Sequence, residues 1–271
     1  MADKEGPRFQ HHLRVSVKRM ESKTSPHLIR LNRYLAQSGL CSRREADRWI
    51  AEGRVKVNGK IVTELGVQVD GATDVVSAAG EVLRPSLALT YIMLNKPAGY
   101  VTTASDEKGR LTVFHLVKTP VRVFSVGRLD RDSEGLLLLT NDGDLSYRLT
   151  HPRFKVKKTY RVALKEALDE RAARALQRGV RIPEVRLPVS GELRFPNAED
   201  RRFCEMTIME GRNRQVRKMF AAVGFPVKRL QRIQIGPLRL GKLGVGEWRY
   251  LEQREVKLLN QATSGRDGNS Q

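Results

Sequence analysis

The sequence predicts an α+β protein in two parts: a small N-terminal unit of two helices plus a β-hairpin, then a larger domain on a mixed or antiparallel sheet. Three observations predict it. Before residue 62, apolar residues at helical spacing give way to short alternating runs. Residues 80 to 86, with Gly80 and Pro85, then read as a linker. Beyond them, strand-like runs often follow one another without an intervening helix, which argues against a doubly wound sheet.

Element by element, residues 1 to 27 mix charge, Ser, Pro and His without apolar periodicity and read as a flexible basic leader. The first unit spans residues 28 to 86. In it Ile29, Leu31, Tyr34 and Leu35 recur at helical spacing, and Gly39 can close that helix. Ser42 and Glu45 then form an S-x-x-E capping box for a second helix, which Gly53 ends. Its Ala46, Trp49 and Ile50 make an apolar face, leaving Arg43, Arg44 and Arg48 largely off it. Val55 to Val57, Asn58-Gly59 and Ile61-Val62 read as a hairpin, with two more strands expected between Gly66 and Val76. The second domain, residues 87 to 260, shows strand-like runs at 89–94, 121–126, 136–139, 160–164, 187–193, 202–209 and 230–235, and helices at 169–178 and 214–223. Residues 261 to 271 read as a flexible tail.

Composition narrows the function. Fifty Lys and Arg against thirty Asp and Glu give +20 at pH 7, on a chain of 271 residues whose 40% hydrophobic content is that of a folded protein. Self-repulsion of that size fits a polyanionic partner, so nucleic acid is favoured over membrane. Cys41 and Cys204 exclude a disulfide framework and a multi-cysteine zinc site. His11, His12 and His27 fall in the leader, which leaves His115 and His151 for any folded site and disfavours histidine chemistry. The N-terminus lacks a signal-like apolar region, and no apolar stretch approaches the ~20 residues that span a bilayer. A cytoplasmic protein without a metal or cofactor is expected.

The stretch IRLNRYLAQSGLCSRREADRWIAEGRVKVNGKI resembles the S4 RNA-binding module over residues 29 to 62. Arginines on a short rigid helix suit the phosphates of structured RNA; the same pattern also fits an ordinary solvated helix face. A second stretch, GRLDRDSEGLLLLTNDGDL at residues 127 to 145, places Asp130 in a loop before a buried strand at 136–139, with Asn141-Asp142-Gly143 read as a turn at its end. By spacing alone that aspartate is more often a turn former or an arginine's partner. On the same footing Tyr160 reads as a core aromatic and Arg217 as a phosphate contact.

The second stretch resembles the signature of the pseudouridine synthases of the RsuA/RluB/RluE/RluF family, nearest the RluB subgroup. The resemblance extends to Lys96-Pro97-Ala98-Gly99, Lys158-Thr159-Tyr160, EGRNRQVRKMF at 210 to 220, and the I-G-P-L-x-L-G pattern from Ile235. An S4 unit ahead of such a domain is also the family arrangement. The resemblance implies that a monomeric enzyme isomerises uridine to pseudouridine in ribosomal RNA or its precursor, with 23S rRNA the expected target. Asp130 would be the catalytic carboxylate, Tyr160 the aromatic against the target base, and Arg217 the cation paired with Asp130. Arg128 and Leu230 would line the pocket. Arg43, Arg44, Arg48, Lys96, Arg212, Arg214 and Lys218 are expected to contact RNA. The chemistry fits, because isomerisation transfers no group and changes no oxidation state, so one carboxylate suffices. A guanidinium beside it would favour the ionised form.

Residues 201 to 232 hold nine Lys and Arg against Glu205 and Glu210, which predicts a second basic surface. The competing reading is a noncatalytic S4-domain RNA-binding ribosome-assembly factor. Gly236 to Lys242 matches G-x-x-x-x-G-K, but Leu243 stands where a Ser or Thr should follow, so a phosphate loop is not expected there.

Overall fold

A computed structural model describes residues 28–85, 88–183 and 185–264; the leader and residues 265 to 271 lie outside these. The described residues divide into two compact units, one up to residue 85 and one from residue 88 onward.

In the first unit, β1 (Leu28–Arg30) precedes α1 (Leu31–Gln37), α2 (Arg43–Ala51), β2 (Val55–Val57), β3 (Lys60–Val62), β4 (Gln68–Asp70), β5 (Val76–Ala78) and β6 (Glu81–Leu83). Ile29, expected on the first helix, instead sits in β1, which pairs with β4. Ser42 caps α2 by accepting from the Glu45 N–H at 3.2 Å. Asn58 and Gly59, with φ of 51° and 79°, make the left-handed two-residue turn of the β2–β3 hairpin. The expected linker at 80 to 86 is corrected in part. Glu81–Leu83 pairs with β5, and Leu83 is buried and accepts from the Tyr34 hydroxyl at 3.0 Å. The unit's core, including Leu31, Leu35, Ala46, Ile50, Val55 and Val76, lies between the helices and these strands.

The second unit contains β7 (Tyr91–Lys96), β8 (Phe124–Val126), β9 (Glu134–Thr140), α3 (Gly143–Thr150), β10 (Lys158–Leu164), α4 (Glu170–Arg178), β11 (Glu192–Arg194), β12 (Phe203–Ile208), α5 (Gln215–Ala222), β13 (Val227–Ile235), β14 (Leu238–Arg239), β15 (Trp248–Tyr250) and α6 (Gln253–Ser264). Its sheet runs β11-β12-β10-β13-β9-β7-β15, with β14 on β13 and β8 on β9. Every described pairing in it is antiparallel except β13 with β9, which makes it the expected mixed sheet.

The four leucines of β9 explain why this sheet has two covered faces. Leu137 and Leu139 join a core with Ile92, Val162 and the α4 and α5 residues Leu176 and Phe220. Leu136 and Leu138 face the other way, to Met93, Ile235, Leu145 of α3 and Leu259 of α6. At the start of β9, Gly135 has φ +101°. A Cβ there would collide with the Arg232 carbonyl and lie 2.8 Å from its nitrogen. Glycine at this position lets β13 close against the chain that leaves the Asp130 loop.

Three expectations are corrected here. Residues 187 to 193 are not a continuous strand: Val189 makes an isolated bridge to Val180 and regular pairing begins at Glu192. Pro188 interrupts the run because it has no N–H to donate. The turn read at Asn141-Asp142-Gly143 opens α3, whose first N–H groups are capped by the Asp142 carboxylate, to Asp144 at 3.0 Å and Leu145 at 2.9 Å. Residues 261 to 264 are not tail but the end of α6, where Thr263 is buried and its hydroxyl accepts from Arg148 Nε at 3.2 Å.

Candidate active site

The loop from Gly127 to Ser133, between β8 and β9, is held from inside by a lysine. Lys96 ends β7 and has no exposed surface. Its Nζ donates to the carbonyls of Ser133 at 2.8 Å, Pro97 at 3.0 Å and Asp130 at 3.1 Å. Burial pulls its ammonium down to about 8, against the opposing pull of Asp130, Asp132 and Glu134. Lys96, expected from sequence to contact RNA, is instead buried as a post beneath the loop. Thr102 adds a second tie by donating to the Leu129 carbonyl at 2.8 Å. Gly99 and Arg131 add a third, with the Gly99 N–H donating to the Arg131 carbonyl at 2.7 Å. The backbone on both sides of Asp130 is thus anchored, while its carboxylate is only partly covered, at 31% exposure.

The arginines meet this loop differently from the expectation. Arg214, in a left-handed conformation (φ 51°) at the start of α5, reaches Asp130 at 3.7 Å. It also grips Asp132 with both ends of its guanidinium, at 3.0 and 3.1 Å. Arg217 does not pair with Asp130. Its Nη2 donates to the Asp132 carbonyl at 3.0 Å and lies 3.3 Å from that carboxylate, and its Nη1 donates to the Val227 carbonyl at 3.0 Å. Residues three apart lie on one helix face, so both guanidiniums reach Asp132, but Arg214 stands at the N-cap of α5 and it is this one that comes within 4 Å of Asp130. Burial raises the Asp132 carboxyl, but the Arg214 hydrogen bonds and the two guanidinium charges outweigh it and hold the group below its ordinary value.

Beside Asp130 a cavity of about 450 Å³ opens, lined by Arg128, Lys158, Tyr160, Arg214, Leu230 and Arg232 among others. That is within the range of small-molecule clefts. Tyr160 on β10 stands opposite Arg232 on β13, and Val162 opposite Leu230; Tyr160 is 8% exposed and Leu230 is buried. Arg128 is exposed and borders both this cavity and a groove on the other side of the loop. Asp130, Tyr160, Arg128 and Leu230 are therefore brought together, as expected, whereas Arg217 stands behind them.

The remaining cations divide. Arg43 and Arg44 are exposed on α2, as is Arg48, which lies 3.4 Å from Glu45 and 4.0 Å from Glu52. Arg212 borders the cavity and pairs with Glu210 at 2.7 Å; Lys218 is half-buried on α5. The basic run at 201 to 232 is less free than its charge count suggests. Arg201 meets Glu170 at 2.8 Å, Arg202 meets Asp200 at 2.8 Å, and Arg229 meets Glu134 at 2.7 Å, all carboxylates from outside the run.

Sequence reasoning missed Asp132, gave no role of its own to Lys158, and counted Arg232 only within the basic run of 201 to 232. The period-two alternation of a strand could have found the last, since Arg232 follows Leu230 by two residues and so shares its face. Neither folded histidine joins the site: His115 Nδ1 accepts from the Thr112 N–H at 3.0 Å, and His151 is exposed beside the Tyr147 ring, 4.9 Å between centroids. Burial pushes the Cys204 thiol up to about 12. Among the described residues there is no cluster of three or more His, Cys, Asp or Glu that could hold a metal, and no helix long and apolar enough to cross a membrane.

Comparison with known proteins places this geometry. Residues 90–222 match the family of RNA pseudouridylate synthases and residues 29–76 the S4 domain. An uncharacterized RNA pseudouridine synthase of Aquifex aeolicus is 42% identical over 237 residues, covering 86% of this chain and 94% of its own. The ribosomal large subunit pseudouridine synthase B of Bacillus subtilis is 42% identical over 233 residues, 85% of this chain and 95% of its own. The dual-specificity RNA pseudouridine synthase RluF of Escherichia coli is 38% identical over 245 residues, 87% and 81%. A crystal structure of a pseudouridylate synthase superposes with a TM-score of 0.63 at 35% identity, covering 85% of this chain and 99% of that one.

Proposed function

The chain belongs to the RNA pseudouridylate synthase family, and we propose that it isomerises a uridine of large-subunit ribosomal RNA at Asp130. The observation that carries this reading is an anchored loop presenting a carboxylate to a cavity with an aromatic wall. In the reaction the N1–C1′ bond of uridine breaks, the uracil turns, C5 bonds to C1′ and loses its proton, and N1 takes a proton up. Atoms are conserved, so a single carboxylate acting as nucleophile or base meets the need. The uridine must leave its stack to reach Asp130, at a cost of a few kcal/mol. Stacking on the Tyr160 ring would offset part of this, by roughly 1 to 3 kcal/mol. Leu230 would close the apolar side, and Arg214, with Asp132 fixing its position, would supply the cation that sequence assigned to Arg217.

The RNA target rests on the relatives named for the ribosomal large subunit and on the net charge of +20. The S4 unit, with Arg43, Arg44 and Arg48 exposed on α2, would hold the phosphate backbone of that RNA or its precursor. The proposed setting is a cytoplasmic monomer.

The test is to incubate the full chain with large- and small-subunit rRNA transcripts and map pseudouridine by its resistance to N-glycosidic cleavage. The proposal expects conversion at a defined uridine in the large-subunit RNA. Binding without conversion of any uridine would favour the noncatalytic assembly factor.

A further inference from the structure

Among the described residues, two cations that line the Asp130 cavity, Lys158 and Arg232, make no ion pair with a carboxylate. Arg232 on β13 stands opposite Tyr160 on β10, and Lys158 precedes Tyr160 by two residues, so the three share one face of the sheet. All three line the cavity. Arg232 is 5% exposed. Its Nε donates to the Leu136 carbonyl at 2.8 Å, yet its Nη2 is buried without any partner. Lys158 is half-buried.

The neighbouring cations provide the contrast. Arg214 is engaged with Asp132 and approaches Asp130; Arg229 is engaged with Glu134. Lys96 is surrounded by carbonyls and feels three carboxylates. For Lys158, burial pulls the ammonium down to about 8 and the Arg232 charge pushes in the same direction, with no carboxylate opposing them. Two adjacent desolvated charges of one sign repel each other, and an anion between them would relieve both. A guanidinium with one free end and a neighbouring ammonium suit a phosphate oxygen pair. In RNA at neutral pH that anion is the phosphodiester, which any extruded nucleotide brings with it.

We propose that Lys158 and Arg232 form the seat for the phosphate flanking the uridine that is extruded toward Asp130. The proposal rests on the enzymatic reading above. The seat would favour the extruded over the stacked nucleotide and align C1′ with the carboxylate. Lys158 and Arg232 are then positioning residues, acting through the substrate backbone.

A charge-swap between protein and RNA tests it. Oligonucleotides spanning the mapped uridine carry a neutral methylphosphonate at either its 5′ or its 3′ linkage. Single-turnover rates are measured at saturating enzyme for the wild type, Lys158→Met and Lys158→Arg. One of the two neutral linkages is expected to slow the wild type about tenfold, but Lys158→Met less than twofold, with the sensitivity restored in Lys158→Arg. Lys158 is the residue to vary because Arg232 also supports the Leu136 carbonyl; Arg232→Lys serves as the second variant, and melting temperatures check folding. Equal slowing of the wild type and Lys158→Met, or no slowing of the wild type by either linkage, overturns the seat alone. No pseudouridine in any RNA overturns the enzymatic reading, and the seat with it.

Discussion

The arginines of α2 and the cations around Asp130 carry the same charge in opposite settings. On α2, Arg43 and Arg44 project from a capped helix into solvent, and Arg48 has only exposed ion pairs, of a kind worth about 0 to 1 kcal/mol. Around Asp130, Lys96 is sealed among carbonyls, Arg217 is 12% exposed and bound to backbone and carboxylate, and Arg232 is buried. Exposed charge attracts a polyanion from a distance, is screened by salt and acts alike on the docked complex and the transition state. Buried charge is fixed in direction and acts where the reacting group has lost its water. The first region should therefore govern affinity and the second rate.

The largest expected effect is at the carboxylate itself. Asp130→Asn keeps shape but loses nucleophilicity and basicity, so the single-turnover rate should drop about a thousandfold or more while rRNA affinity stays within about threefold. Appreciable turnover by this variant would remove Asp130 from the chemistry.

Lys96→Met comes next. It strips the ammonium from buried carbonyls, each costing about 1 to 3 kcal/mol when left unpaired, with some return from not burying a charge. The rate should fall roughly ten- to a hundredfold as the Asp130 loop loses its aim, with RNA binding nearly unchanged. If Lys96 instead contacts phosphate, its loss will appear in affinity and in the salt dependence.

A pair of variants sharpens the division within the site. Arg214→Met should slow the chemical step about tenfold, since Arg214 reaches Asp130. Arg217→Met should act more on melting temperature than on rate, because it unties Asp132 and the Val227 carbonyl. The opposite ranking would restore the pairing of Arg217 with Asp130.

The smallest effect is a pH dependence from Lys158, whose ammonium is held near about 8 by burial and Arg232. As pH rises through that value its charge is lost, and activity should decline a few-fold between about pH 7 and 9, but not in Lys158→Arg. Stability moves the other way. Between about pH 8 and the ordinary lysine value the unfolded chain binds more protons than the folded one, so this group favours the fold increasingly as pH rises. A decline caused by unfolding would be seen by circular dichroism and would be shared by Lys158→Arg.

Local chemistry was legible in the sequence where one residue type does one thing. Ser42, Asn58-Gly59 and the leucines of β9 announced a cap, a hairpin and a buried strand, and Asp130, Tyr160, Arg128 and Leu230 do meet in one cavity. What escaped depends on contacts distant in the chain. Lys96 looked like a surface cation because, apart from the neighbouring Pro97, its carbonyl partners such as Asp130 and Ser133 lie more than thirty positions away. Arg217 and Arg214 are both plausible partners by spacing, and only the left-handed backbone at Arg214 decides which one reaches Asp130. The basic run of 201 to 232 was counted without the acids that fold onto it. The last helix was not read from the sequence: Val256, Leu259 and Thr263 recur at helical spacing, but the residues from 261 onward are poor in core formers and read as tail.

The division of labour between the two regions is tested most directly by single-turnover kinetics of Arg43→Ala/Arg44→Ala in the full chain, over a series of salt and enzyme concentrations. The account predicts a higher half-saturating enzyme concentration, a log–log salt slope shallower by about one to two, and an unchanged rate at saturation. A saturating rate that falls with the affinity, or a salt slope equal to that of the wild type, would contradict it.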